Sequence, residues 1–197
     1  MESNLELQRK ICFYCFRNLE NYLETQQMTE PEKEFDELGE YPLFVSYKIF
    51  DILRGCIGTF KPDKLGSTLQ LYSLIAALQD RRFPPVQKKE LPHLTCEVSL
   101  LSQFENIDHP YDWEVGQHGI EIEFKDHAGK LYKGTYLPHI AKEQEWDQVK
   151  TIESLLQKAG YQHKLEDVMD KFVLLRRYQS IKFRVSYEDY MQECKKQ

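Results

Sequence analysis

The sequence predicts an α+β fold, a two-lobed single domain of mainly antiparallel sheet flanked by helices. Strand-like runs of period two, Leu94–Leu100 being the clearest, are joined to their neighbours by short turns. Apolar stripes at helical spacing are inserted between groups of these runs rather than after each one, which favours antiparallel pairing over a parallel sheet. The 197 residues suit one domain, or one domain whose two lobes share a core.

The first element is a helix over Leu5–Leu23. Ile11, Cys12, Cys15, Phe16, Leu19 and Leu23 form one stripe, with Arg9, Lys10, Arg17, Asn18 and Glu20 off it. Cys12 and Cys15 lie mid-helix on the apolar side, whereas redox and zinc CxxC pairs sit in loops or at helix starts, so packing is their expected role. Residues 26–42 are expected to be an acidic surface loop: six acidic residues face one Lys between Glu30 and Glu40, with Pro31 and Gly39 among them. Strands are expected at Leu43–Phe50 and Arg54–Phe60. A helix follows from a Ser67 or Thr68 cap to about Arg81, with Leu71, Ile75 and Leu78 inward, and Pro84-Pro85 ends it.

In Leu94–Leu100 the apolar residues Leu94, Cys96, Val98 and Leu100 alternate with Thr95, Glu97 and Ser99, so Glu97 faces away from the apolar side. Ile120–Phe124 and Leu131–Leu137 flank Asp126-His127-Ala128-Gly129 and read as a hairpin. From about Glu145, a stripe of Trp146, Val149, Ile152, Leu155, Leu156 and Ala159 predicts a helix closed by Gly160. Ile181, Phe183, Val185 and Tyr187 alternate as a last strand before a short terminal helix. There is no internal repeat and no linker, so residues 1–197 are read as one domain.

Composition narrows function. Hydrophobic residues at 41% and charged residues at 29% describe a folded protein, and 12 Tyr with 11 Phe point to a core rich in rings. A net charge of −6 repels phosphate backbones, which argues against a nucleic-acid partner. Arg81-Arg82, Lys88-Lys89 and Arg176-Arg177 are short basic pairs suited to solvated or ion-paired faces. No apolar run reaches the roughly 20 residues of a membrane span, and Met1–Glu6 lacks the order of a secretory leader. Five cysteines without a framework spacing then suggest reduced thiols in cytoplasm or nucleus.

The unusual segment is Arg54-Gly55-Cys56-Ile57-Gly58-Thr59. Two glycines weaken a strand but allow a close approach or a positive φ around the thiol between them. In extended chain Arg54 and Cys56 share a face, where a guanidinium would favour the thiolate or hold an anion. The competing reading is a Gly-rich bulge with a buried Cys acting as a small hydrophobe.

Leu53–Thr59 resembles the signature of the AMMECR-one family. The resemblance continues through Asp80–Pro85, Glu97–Leu101, Asp112–Ile120, Thr135–Pro138, Ala141–Asp147 and Lys158–Gly160, in that order, and leaves unmatched only the acidic segment and the termini. It implies a two-lobed α+β fold with a cleft lined by the signature, and a biochemical activity that is not established. By family association it implies Memo-like and radical-SAM proteins as partners. It indicates no cofactor.

Within this frame Cys56 is the candidate nucleophile or redox group, Arg54 its stabiliser or anion anchor, and Glu97 either a proton acceptor or a carboxylate paired with Arg54 or Arg82. His118 could complete a Cys–His pair. Gly55, Gly58, Thr59 and Arg82 are candidate ligand-binding positions, while Asp80 with Arg82 also reads as a clamp tying the helix end to the next segment. No HExxH, paired CxxC, GxxxxGK[ST] or GxGxxG occurs, so no metal or nucleotide motif is expected. The alternatives are cysteine-centred catalysis or small-ligand binding at residues 54–59, and a noncatalytic interaction protein in which this segment is structural or binds a partner. Cys56 is expected to be the most reactive thiol, and at least one of Gly55 and Gly58 to hold a backbone conformation closed to residues with a Cβ.

Overall fold

In the computed structural model, residues 5–195 are described, so residues 1–4, read above for leader character, lie outside them. Helix α1 spans Leu5–Thr25 and α2 Lys33–Glu37; strands β1 (Glu40–Ile49) and β2 (Ile52–Lys64) follow, then α3 (Leu65–Leu78). A 3-10 segment, Lys88–His93, leads into β3 (Leu94–Asn106), followed by β4 (Gly119–Lys125), β5 (Leu131–Tyr136), α4 (Pro138–Glu143) and α5 (Gln148–Lys158). A second 3-10 segment, Leu165–Val168, precedes β6 (Phe172–Ser186) and α6 (Tyr187–Cys194). The strands form one antiparallel sheet in the order β2-β1-β3-β6-β4-β5, as the α+β reading expects.

The chain divides into two compact units. The first holds the described residues to Leu101 and those from Ile181 onward; the second is Ser102–Ser180. In the first, α1, α3 and α6 share a core with one sheet face. Leu43, Val45 and Tyr47 of β1 and Cys96 and Val98 of β3 are fully buried, and Phe183 and Val185 of β6 nearly so. Phe16 stacks on Tyr190 at 5.7 Å and meets Tyr187 edge-on at 5.4 Å, so rings carry much of this packing. Cys12 and Cys15 belong to the same core, where both reach Cys96. In the second unit Ile120, Ile122 and Phe124 of β4 bury against Ile152, Leu155 and Leu156 of α5. Gly160, at φ +89°, lets its own N–H and that of Tyr161 bond back to Gln157 and Leu156 at the end of that helix.

Several local expectations change. Asn18 is not on an outer face: it is fully buried, donates to Gln70 O (2.8 Å) and Ser73 Oγ (2.9 Å), and accepts from Thr29 N (2.7 Å). The acidic stretch includes α2, whose Phe35 is fully buried edge-on to Tyr14 at 5.7 Å, so one aromatic pins the segment. In α3 the buried positions include Leu69, Ser73, Leu74, Ala76 and Ala77, while Leu71 is 48% exposed. Small side chains on that face let the helix lie close to β2. Strand β6 begins nine residues before the alternation at Ile181 makes it visible, because Arg176 and Arg177 interrupt the apolar pattern.

Candidate functional site

Strand β2 lies at the sheet edge, where outward backbone groups need partners. At Cys56 the end of α3 supplies them. Cys56 N–H donates to Asp80 Oδ2 at 2.9 Å, and Arg82 Nη2 donates to Cys56 O at 3.0 Å. Arg82 also donates to Asp80 through Nε (3.0 Å), Nη2 (2.7 Å) and its backbone N–H (3.1 Å). These bonds, those from Arg82 foremost, hold the Asp80 carboxyl at about 2 although its side chain is only 4% exposed. The pair is therefore a clamp on the backbone of Cys56, not only on the helix end.

Gly55 makes the clamp possible. A Cβ there would sit 2.0 Å from Ala76 O, so the last turn of α3 lies directly on the strand. At Gly58 a Cβ would come 2.2 Å from Leu43 O and 2.4 Å from Phe44 Cγ. Neither glycine has a positive φ; contact, not backbone conformation, closes both places.

Arg54 does not accompany the thiol. Its Nε and Nη2 donate to Glu90 (2.8 and 3.1 Å), and Nη1 and Nη2 donate to Pro84 O (2.6 Å) and Pro85 O (3.3 Å). The guanidinium thus fastens the Pro-Pro turn and the 3-10 segment, and holds the Glu90 carboxyl below its usual range. Thr59 Oγ1 accepts from Lys61 N at 3.0 Å and lines a shallow cavity of about 210 Å³ with Lys61, Ser67, Thr68 and Tyr72.

On the sheet face away from the apolar core, register sets Cys56 opposite Ser46 and Ser46 opposite Glu97. Ser46 Oγ donates to Cys56 Sγ at 3.0 Å. Burial raises the thiol above its ordinary value, and Asp80 and Glu97 push the same way, against the lowering by Ser46 and Arg82. Glu97 is 6% exposed; Lys48 approaches it at 2.6 Å and Lys182 of β6 at 4.0 Å. Its partners are therefore lysines, not Arg54 or Arg82. A neutral thiol, a hydroxyl, a buried carboxylate and two ammonium groups form one polar strip over four strands.

His118 belongs to the second unit. Its Nδ1 accepts from Glu114 N at 3.1 Å, so the ring proton of the neutral form is on Nε2, and burial with Arg177 nearby lowers its pKa. Its backbone N–H also bonds Glu114 O at 2.9 Å, which makes it the closing residue of the turn before β4. Arg176 and Arg177, in the same unit, are ion-paired, to Glu121 and to Glu105 and Asp112. Among the described residues no group of three His, Cys, Asp or Glu is placed to hold a metal, and no helix is long and apolar enough to cross a membrane.

Sequence reasoning named Cys56 and Glu97 but missed Ser46, Lys48 and Lys182. The alternation Phe44-Ser46-Lys48 against Leu43-Val45-Tyr47 carried that signal in β1.

An antiparallel sheet with flanking helices is the α+β fold class that the motif blocks imply. The AMMECR1 family profile covers residues 12–183, and the chain belongs to that family. It is 39% identical to an uncharacterised protein of Arabidopsis thaliana, over 95% of this chain and 89% of that one. It is 40% identical to an uncharacterised protein of Schizosaccharomyces pombe, over 93% and 95%. The crystal structure of an uncharacterised protein from Pyrococcus horikoshii, 27% identical, superposes with a TM-score of 0.76 over 91% of each chain.

Proposed function

We propose that this is an intracellular small-ligand-binding protein whose site is the polar strip at Cys56, Ser46 and Glu97. The observation that carries the reading is the cross-strand row itself, in which a half-buried thiol, a hydroxyl and a buried carboxylate face the same way from three adjacent strands. Binding is favoured over nucleophilic catalysis because burial keeps the thiol protonated and the guanidinium expected beside it is engaged elsewhere. Native mass spectrometry of freshly purified protein, paired with iodoacetamide labelling of Cys56 before and after removal of small molecules, tests this. A retained mass that slows Cys56 labelling is the expected result. No retained mass, with one unchanged labelling rate, would remove it.

The noncatalytic reading draws on a different observation. Arg54, Gly55, Gly58, Asp80 and Arg82 all serve the packing of β2, so most of the signature is explained without a ligand. On that reading Cys56→Ser would leave every small-molecule interaction of the protein unchanged.

A further inference from the structure

The cluster at the middle of the strip is not electrically balanced. Glu97 has 7% of its side chain exposed, and a carboxylate so placed requires a charged partner. Lys48 meets that requirement alone, at 2.6 Å with 22% of its own side chain exposed. Lys182 is the surplus. At 4.0 Å it stands outside hydrogen-bonding reach of Glu97, which is its one ionic partner among the described residues.

Strand alternation sends Phe183 and Val185 into the core and turns Lys182 and Arg184 to the face of Glu97. Arg184 is itself paired, with Asp51. Lys48, Lys182 and Arg184 against Glu97 and Asp51 leave one positive charge in a protein whose net charge is −6. Farther along the strip, in the row beyond Glu97 on β1 and β2, the polar groups are neutral: the Ser46 hydroxyl, which donates to Cys56, and the Cys56 thiol.

We infer that the strip binds a small ligand through an acidic group, with Lys182 as the anion anchor, Lys48 as a shared donor and Glu97 as the internal counter-charge the ligand competes with. This names the ligand class for the site proposed above and rests on that proposal. The acidic group can be a carboxylate or a phosphate, since an ammonium group reads either as a point charge.

The test uses ¹⁵N-labelled full-length protein titrated with inorganic phosphate and, separately, with acetate, against sodium chloride at matched ionic strength. Saturable amide shifts confined to Ser46, Lys48, Cys56, Glu97 and Lys182 are expected, and the probe that binds more tightly distinguishes a phosphate-bearing from a carboxylate-bearing ligand. Lys182→Gln should weaken the binding about fivefold, and Glu97→Gln should strengthen it by a similar factor, the scale of a partly exposed ion pair. Opposite signs are the discriminating feature, because mere loosening of the sheet would weaken both. Lys182→Gln alters only a partly exposed side chain, so it keeps the test interpretable should Glu97→Gln fold poorly. Shifts that chloride reproduces, or an affinity unmoved by Lys182→Gln, overturn the inference. A ligand retained in native mass spectra that carries no acidic group overturns it as well, yet leaves the binding site itself standing. Absence of both a retained ligand and an anion shift removes the two together.

Discussion

At Cys56 the main chain and the side chain answer to different neighbours, and the two can be separated by pH. The backbone is held by Asp80, whose carboxyl lies at about 2 in the folded protein against an ordinary 3.8. A folded value below the unfolded one means stability that is present above the ordinary carboxylate range and is lost as pH falls towards the folded value. The window is therefore about pH 4 to pH 2, and the shift corresponds to roughly 2 kcal/mol. Denaturant melts of the wild type and Asp80→Asn should differ by at least that amount at pH 7 and converge by it at pH 2; a difference independent of pH would mean that the clamp acts through shape and not charge. The thiol moves the other way. Because burial raises Cys56, its iodoacetamide reaction should rise only above the ordinary thiol range, and exposed Cys194 should label faster at pH 7. This reverses the reactivity that an adjacent Arg54 would confer. Faster labelling of Cys56 at neutral pH would restore the nucleophile.

The segment from β1 through α3 shows which parts of a fold a sequence displays. A run of β-favouring residues placed β1 and a shorter strand-like piece placed the signature strand, and Gly55 and Gly58 marked either a positive φ or a close approach, of which the close approach is the one found. The identity of what approaches was hidden. Ala76 O meets Gly55 from a helix 21 residues on, and Arg54 turns to a Pro-Pro carbonyl pair 30 and 31 residues on; neither contact leaves a local period. Lys182 is farther still from Glu97 in sequence, so the strip could not be assembled from spacing. The close approaches yield a graded prediction. Gly55→Ala and Gly58→Ala force a carbon against backbone oxygen, and each should cost more than the ~1 kcal/mol that a compatible Gly→Ala change would gain, within the 1–3 kcal/mol typical of overpacking. Glu37→Ala, on the exposed side of α2, should change little. Parent-like stability in both glycine variants would make β2 an ordinary strand. Phe35→Ala in the same α2 should instead cost about 3–5 kcal/mol, since that ring is the segment's one fully buried side chain.

Two cores are strung on shared strands. Ile152 and Leu155 are fully buried in the second unit, as Leu69 and Val98 are in the first, yet β3 and β6 each begin in one unit and end in the other. β6 supplies buried residues to both cores, Leu175 to the second and Phe183 and Val185 to the first, so melting of either core frees part of a strand on which the other depends. The two units should unfold together, in one transition seen identically by ring absorbance and far-ultraviolet circular dichroism. Ile152→Ala supplies the decisive variant: a deleted core side chain costs about 2–5 kcal/mol, and that loss should appear in the whole transition, with the denaturant slope unchanged. Hydrogen exchange gives the residue-level reading. Amides of Val45 and Val98 in the first unit should lose protection by the same free energy as those of Ile122 in the second. Were the loss confined to residues 102–180, or were a second transition to emerge in the variant, the units would be thermodynamically separate, and the continuous strands would be a connection without cooperativity.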